Sequence, residues 1–455
     1  MPIQFYSPSP MLGSGFPEES LRQMVARQPD FIACDAGTMD GGPMYLGSNA
    51  PLFSRRACKR DLSVLLPAAR SAGIPLLIGS CGGSGSNWGV DWTFDIVAEV
   101  AREQGLRAKV ALVYCEPSRE VLLDKFRQGR IRPLEPDIGL DEAALMRMVR
   151  VVAMIGPQAY TTALAQGADI VLAGRSSDAA LFAAVPVERG FPAGLAWHAG
   201  KIMECGAAAT VRMHEYDGMY CTMDEDSFTL EPANAGQHVT PLSVASHSLY
   251  ETGDPYRLVE PGGVLLTASS RFEAVDDRRV RVSGSRFEPQ PYTLRLEGAE
   301  QLGFQSVAWC AVRDPVILER LDEWLEEADR KIAQRVSVLF DASSLDGHLH
   351  QIRIYGRNGV MGEREPRPYR IGSEVALMVN IVASSQLVAH DICAAAVETL
   401  LHLPIDTWKG PITGIALPFT GHVVDRGPAY TFALNHVVEL DDPLELVSII
   451  HRELT

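Results

Sequence analysis

The sequence predicts an α/β protein: a parallel or mixed sheet with helices on both faces in the N-terminal half, followed by a mixed α+β region. Three observations lead there. Short β-branched or Leu-rich runs alternate with helical patterns between residues 30 and about 175, the order that builds a parallel sheet. A glycine-rich loop follows one of these runs directly, and beyond about residue 220 the pattern changes to short strand-like pieces broken by turns.

The runs are DFIAC (30–34), IPLLIG (74–79), KVALVYC (109–115), VVAMI (151–155) and DIVLAG (169–174). They are continuously apolar, as strands covered on both faces are. Between them, helical patterns span 92–103 and 117–128, the second with Pro117 where a first-turn proline is tolerated. Further on, 273–287 and 291–298 read as strands, with Asp276-Asp277 and Ser283-Gly284 as turn points. An amphipathic helix is expected from Pro315 to about Gln334, with Asp314 as its cap and Leu318, Leu321 and Leu325 on one stripe. The last hundred residues carry strand-like HQIRIYG, EVALMVNIV and YTFALNHVVEL around a helical run over 387–401. The expected division is a ligand-binding and catalytic α/β domain over 1–220 and a mixed α+β domain over 221–455.

Composition narrows the function classes. With 455 residues and 46% hydrophobic content the chain can bury a large core. A net charge of −16 and a pI near 5.2 argue against nucleic acid or anionic membranes as partners. The eight cysteines form no CxxC pair, which disfavours a zinc ribbon or a disulfide framework and fits reduced thiols in the cytoplasm. No basic segment with an apolar signal core opens the sequence, and no apolar run is long enough to span a bilayer. Edge strands and an apolar C-terminal run suggest a homo-oligomer.

Chemistry is expected where strands end, because ligands collect at the carboxyl ends of open parallel sheets. The loop GSCGGSGSN holds Gly79, Ser80, Gly82, Gly83, Gly85 and Asn87 before a helix start. Such a loop can turn backbone N–H groups toward an anion, or can be a tight structural turn. Its spacing matches neither a dinucleotide fingerprint nor a P-loop, so a carboxylate, phosphate tail or thioester is expected rather than NAD or ATP. Asp35 and Asp40 follow the first run and can serve as general base, as ligands of a hard metal, or as turn caps. Arg175 can meet a carboxylate with two parallel bonds, while Ser177 and Asp178 beside it bind substrate or cap the next helix. His198, Lys201, Glu204 and Cys205 share a helical face if their segment is helical. A thiol beside a cation is nucleophilic when its pKa is depressed, and Glu204 can act as acid or base. Cys81 in the glycine loop is a weaker nucleophile candidate, and His348 and His350 are read as surface or oligomer features.

The motifs CDAGTMDGGPMYLG (34–47), LLIGSCGGSG (76–85), GADIVLAGRSSDAAL (167–181) and KIMECGAAAT (201–210) resemble the acyclic terpene utilisation AtuA-like family. LYETGDPYRLVEP (249–261), VRVSGSRF (280–287) and RGPAYTFALNHVVELDDPLE (426–445) extend the resemblance over nearly the whole chain. It departs at Cys81, where a small apolar residue is usual, at Ser176-Ser177 in place of Val-Thr, and at Val211-Arg212 in place of Gly-Gly. What the resemblance implies is breakdown of branched terpenoid acids as CoA thioesters. The expectation is therefore a lyase or hydratase acting on a branched carboxylic acid carried as an acyl-CoA, with Asp35, Glu204 and Cys205 as catalytic residues. Arg175, Ser177, Asp178 and the loop residues Gly79, Ser80, Gly82, Gly83, Gly85 and Asn87 would bind substrate. Two alternatives stand beside it: a divalent cation, Mg²⁺ or Mn²⁺, held by Asp35, Asp40, Asp178, His198 and Glu204, or a non-catalytic subunit that needs a small partner protein.

Overall fold

A computed structural model describes residues 1–212, 216–341, 345–367, 371–405 and 413–455. In chain order its strands are β1 (Ile3–Ser7), β2 (Phe31–Asp35), β3 (Leu76–Gly79), β4 (Ala108–Tyr114), β5 (Ile131–Pro133), β6 (Met148–Ala153), β7 (Ile170–Ala173), β8 (Met219–Met223), β9 (Ser227–Pro232), β10 (Arg257–Glu260), β11 (Gly263–Leu266), β12 (Arg271–Ala274), β13 (Val280–Ser283), β14 (Arg286–Pro289), β15 (Thr293–Val312), β16 (Leu349–Tyr355), β17 (Val375–Ala383), β18 (Val423–Glu439) and β19 (Ser448–Leu454). The helices are α1 (Glu18–Val25), α2 (Pro43–Ser48), α3 (Arg55–Ala72), α4 (Asn87–Gln104), α5 (Arg119–Arg127), α6 (Glu142–Arg147), α7 (Gln158–Ala165), α8 (Ala180–Glu188), α9 (Ala193–Met203), α10 (Pro241–His247), α11 (Pro315–Glu319), α12 (Leu321–Leu339) and α13 (Gln386–His402). Contacts divide the chain into two compact units, Met1–Glu300 with Phe432–Thr455, and Gln301–Thr431.

The first unit is built on a ten-stranded mixed sheet in the order β12-β13-β9-β8-β1-β2-β3-β7-β4-β19. Its centre, β1-β2-β3-β7-β4, is parallel throughout. Antiparallel strands extend both sides, β8 on β1 and β19 on β4. Side chains alternate between two cores, as the pleat requires. Phe31, Ala33, Leu77 and Val171 pack with α7, α8 and α9 on one face. Ile32, Cys34, Ile78 and Leu172 pack with α1, α3 and α4 on the other. Capping sets the helix starts: Ser54, Ser86 and Ser118 each accept a backbone N–H one turn on.

Two sequence readings are corrected here. The run at 151–155 is not a strand of the parallel sheet, because β6 pairs antiparallel with residues 296–300 of β15. The missing parallel strand is β1, a short run between Pro2 and Pro8. The change of pattern after residue 220 also does not end the sheet, since β8 and β9 pair on from β1 within it. A small antiparallel sheet, β10-β11-β14, completes the parts of this unit that matter for the site.

In the second unit, β16, β17 and residues 304–312 of β15 form an antiparallel sheet. Its apolar face packs on α12 and α13 through Trp324, Ala328, Ile332, Ile392, Cys393 and Val397. The helix expected over 315–334 is broken at Arg320 into α11 and α12, with Asp314 capping the first by accepting from Val316 and Ile317. Among the described residues no helix is long and apolar enough to cross a membrane.

Candidate active site

The central strands β2, β3 and β7 end side by side, and their first residues beyond the sheet converge. Ser80 N–H donates to Gly174 O and Ala36 N–H to Gly79 O, each within about one hydrogen-bond length at 3.0 and 2.9 Å. This fixes Asp35, Ser80 and Arg175 around one point. The loop after β3 is packed against protein rather than open to a ligand. A Cβ on Gly85 would lie 2.2 Å from Arg175 N, and one on Gly37 1.9 Å from Gly83 O. Gly83 and Gly85 donate their N–H groups to Ser80 O and Cys81 O within the loop. None of Gly79, Gly82, Gly83 and Gly85 lines the cavities described next. The anion-cradle reading of the loop is therefore corrected: its glycines permit close backbone packing that positions Arg175. Asn87 is also elsewhere, its backbone N–H donating to Glu116 Oε1 at 2.6 Å.

Two cavities adjoin this point, of about 510 and 400 Å³, and both are lined by Thr38, Asp40, Asp178, Glu204 and Glu251. Each is of the size that holds a small ligand. Arg175, 6% exposed, is the hub of the wall. Its Nε donates to Glu297 Oε2 at 2.8 Å, and its Nη1 donates to Asp178 Oδ1 at 2.9 Å, Ser176 O at 3.0 Å and Ser80 Oγ at 3.2 Å. These bonds commit the guanidinium to protein carboxylates. The expected grip of Arg175 on a substrate carboxylate is replaced by an internal one.

Lys201 lies in the last turn of α9 and Glu204 caps its end, so they face each other across one turn. Lys201 Nζ donates to Glu204 Oε1 at 2.6 Å, with both groups buried. Burial pushes the Glu204 carboxyl up to about 8; Lys201 opposes this, while Asp178 and Glu260 add to it. Glu260, at the end of β10, accepts from Ser177 Oγ at 2.6 Å. Desolvation raises it to about 7 against that bond and the Lys201 charge. Asp35 is also held well above the carboxylate range, first by burial and then by the Asp178 charge, despite Arg175 and the N–H of Ala36. The wall thus sets two buried cations, Arg175 and Lys201, beside carboxyls that burial pushes above their ordinary range.

Other expected residues stand in surroundings that weigh against the expected roles. Cys205 lines the smaller cavity, but burial and the neighbouring Glu204 charge push its thiol up more strongly than Lys201 lowers it. Cys81 is fully buried and likewise raised. Neither has the depressed pKa that a thiolate nucleophile needs. His198 is buried away from the carboxylates, Nδ1 2.6 Å from Ser285 Oγ and Nε2 3.2 Å from Ser248 Oγ, and desolvation keeps it neutral down to about 4. It leaves the proposed metal set of Asp35, Asp40, Asp178, His198 and Glu204. Among the described residues no group of three or more His, Cys, Asp or Glu side chains is arranged to hold a metal ion. Sequence reasoning missed Glu260 and Glu297. Glu297 lies between Leu296 and Gly298 in a buried stretch of strand, where a lone carboxylate signals a distant cation.

Comparison with known proteins adds one result. The family described as acyclic terpene utilisation family protein AtuA matches residues 49–405, well over half of the chain. This chain belongs to the AtuA family. No curated protein and no solved structure gives a match. The matched region of this AtuA-family chain contains Arg175, Ser177, Asp178, Lys201, Glu204, Glu260 and Glu297, while Asp35 and Asp40 precede it.

Proposed function

We propose that this AtuA-family protein is a lyase or hydratase acting on a branched carboxylic acid carried as an acyl-CoA thioester. The observation that carries the reading is the pair Glu204 and Glu260 in one cavity wall, two carboxyls that burial pushes up, to about 8 and about 7. Proton transfer at neutral pH is most efficient when donor and acceptor are poised near that pH. In the state the reaction needs, Glu260 is ionised and Glu204 protonated. In the dehydrating direction Glu260 takes the proton from the carbon beside the thioester carbonyl. The electron pair forms the double bond, and the β-hydroxyl leaves as water with the proton of Glu204. Hydration is the reverse. Lys201 and Arg175 hold the carboxylates in place and supply positive charge beside the developing enolate.

Membership of a family described by acyclic terpene utilisation supports a branched substrate, and its acid and thioester form belong to the proposal. The eight cysteines, all unpaired, agree with the cytoplasmic location that belongs to this proposal. So does a small-molecule substrate in cavities of this size. Homo-oligomer formation remains part of the proposal and is read by sedimentation.

The test is a panel of branched acyl-CoA thioesters incubated with the full chain in D₂O and followed by mass spectrometry. Deuterium uptake beside the carbonyl, or loss or gain of water, is expected for at least one member. Glu204→Gln and Glu260→Gln are expected to lower that rate by about 10²–10⁴ with the fold intact. Absence of both exchange and water transfer across the panel would overturn the reading.

A further inference from the structure

The two cavities that meet at Asp178 and Glu204 differ in character. Beside Asp35 and the carboxyls that it shares with the larger, the smaller is walled by Pro10, Met11, Ala208 and Tyr250, with Tyr250 stacked on His247 at 5.6 Å. Burial keeps that imidazole neutral, down to about 4, so this wall carries no cation of its own. The larger opens past Arg257 on β10 and Arg295 on β15, both exposed. These two guanidiniums differ from Arg175 and Lys201, which are tied to carboxylates. Arg295 Nε reaches Glu297 Oε1 only at 3.9 Å, and Arg257 enters no ion pair among the described residues.

Building on the acyl-thioester reading, we propose that the site is bipartite and selects an amphipathic anion. The branched hydrocarbon end lies among Met11, Ala208 and Tyr250, and the oxyanion end meets Arg257 and Arg295. The reacting carbons then lie at the shared wall of Asp178 and Glu204, where the proton-holding carboxyls are. This order follows from the chemistry of the walls. An apolar chain gains by leaving water for the apolar part of the first chamber, and an oxyanion gains from Arg257 and from Arg295, whose ion pair with Glu297 is long, while being repelled by the carboxylates between. The oxyanion is a phosphate of coenzyme A or a second carboxylate of the acid, and the experiment separates these sources.

The experiment is isothermal titration calorimetry on the full-length Glu204→Gln chain, so that turnover does not interfere. Probes are coenzyme A, 3-methylglutarate, and 3-methyl-branched acyl-CoA thioesters of five and ten carbons. The ten-carbon thioester is expected to bind more tightly, each buried methylene contributing up to about fourfold. Adding Ala208→Phe, at a half-buried position, removes that difference and leaves the five-carbon affinity nearly unchanged. Adding Arg257→Ala/Arg295→Ala instead weakens by roughly tenfold every probe that carries the recognised oxyanion, coenzyme A and both thioesters for a phosphate or 3-methylglutarate for a carboxylate, and keeps the chain-length difference. The Lys variants at both positions restore part of the loss. Binding of coenzyme A that depends on the two arginines identifies the phosphates, and such binding of 3-methylglutarate identifies a carboxylate. Equal affinity of coenzyme A, the thioesters and 3-methylglutarate alike in the arginine variants, or a chain-length difference that survives Ala208→Phe, would overturn the proposal. Because binding is read without turnover, its failure is separate from failure of the lyase or hydratase reading.

Discussion

Arg175→Met is the most exacting test of how the site wall is held. The side chain is 6% exposed and Glu297, its strongest partner, 5% exposed. Removing the guanidinium deletes the 2.8 Å bond to Glu297 Oε2 and the 2.9 Å bond to Asp178 Oδ1. Asp178, with 29% of its side chain exposed, can hydrate instead. Glu297 cannot, and its next cation is Arg295 at 3.9 Å. Leaving a buried carboxylate without its partner costs about 3–5 kcal/mol. For a unit of this size that is on the order of 5 °C in melting temperature. Thermal and urea unfolding of the variant read the loss. The second variant, Arg175→Met/Glu297→Leu, is expected to recover most of it, because a buried ion pair replaced on both sides by apolar groups is close to neutral. A loss under about 1 kcal/mol in the single variant, or a double variant less stable than the single, would refute the hub assignment.

Three further outcomes are expected. Gly85→Ala is strained by a φ of +64° and meets Arg175 N, whereas Gly105→Ala has φ +63° and open space around it. Gly85→Ala should therefore exceed the roughly 1 kcal/mol left-handed cost of Gly105→Ala by several-fold in urea unfolding; equal costs would remove the packing role of the loop. Ser177→Ala deletes a bond that lowers the Glu260 pKa, so the acidic limb of the pH–rate profile is expected to move to higher pH, as kinetics across pH 5–9 will read. Cys205→Ala should keep turnover within a few-fold of the native chain, and alkylation of Cys205 at pH 7 should be slow, since its thiol is held protonated.

Periodicity made much of the fold legible. The runs at 30–34, 74–79, 109–115 and 169–174 are β2, β3, β4 and β7 to within a residue or two, because strands buried on both faces carry a strong local signal. Pairing partners carry no such signal, so the run at 151–155 looked like the others yet belongs with β15. The start of α5 was misplaced because Ser118 caps it and Pro117 lies outside. At the site, Asp35, Asp178 and Glu204 were legible from their positions after strands or on a helix face. Arg175 lines the cavity, and its guanidinium binds Glu297 and Asp178. A charge at a strand end does not reveal that Glu297, 122 residues later, has already claimed it. Glu260 was missed for the same reason: its meaning comes from Ser177 across the cavity wall, 83 residues away. Lys201 is near Cys205 in sequence, but burial and Glu204 raise the thiol more than Lys201 lowers it.

The central claim is that Glu204 and Glu260 form the acid–base pair. Its most direct test is the pH dependence of kcat/KM on the first branched acyl-CoA that the D₂O panel identifies. A bell is expected, with limbs near 7 and 8 belonging to the pair. Glu260→Gln should remove the acidic limb and Glu204→Gln the alkaline one, each with a rate loss of about 10²–10⁴. Variants that keep full activity and both limbs would contradict the account.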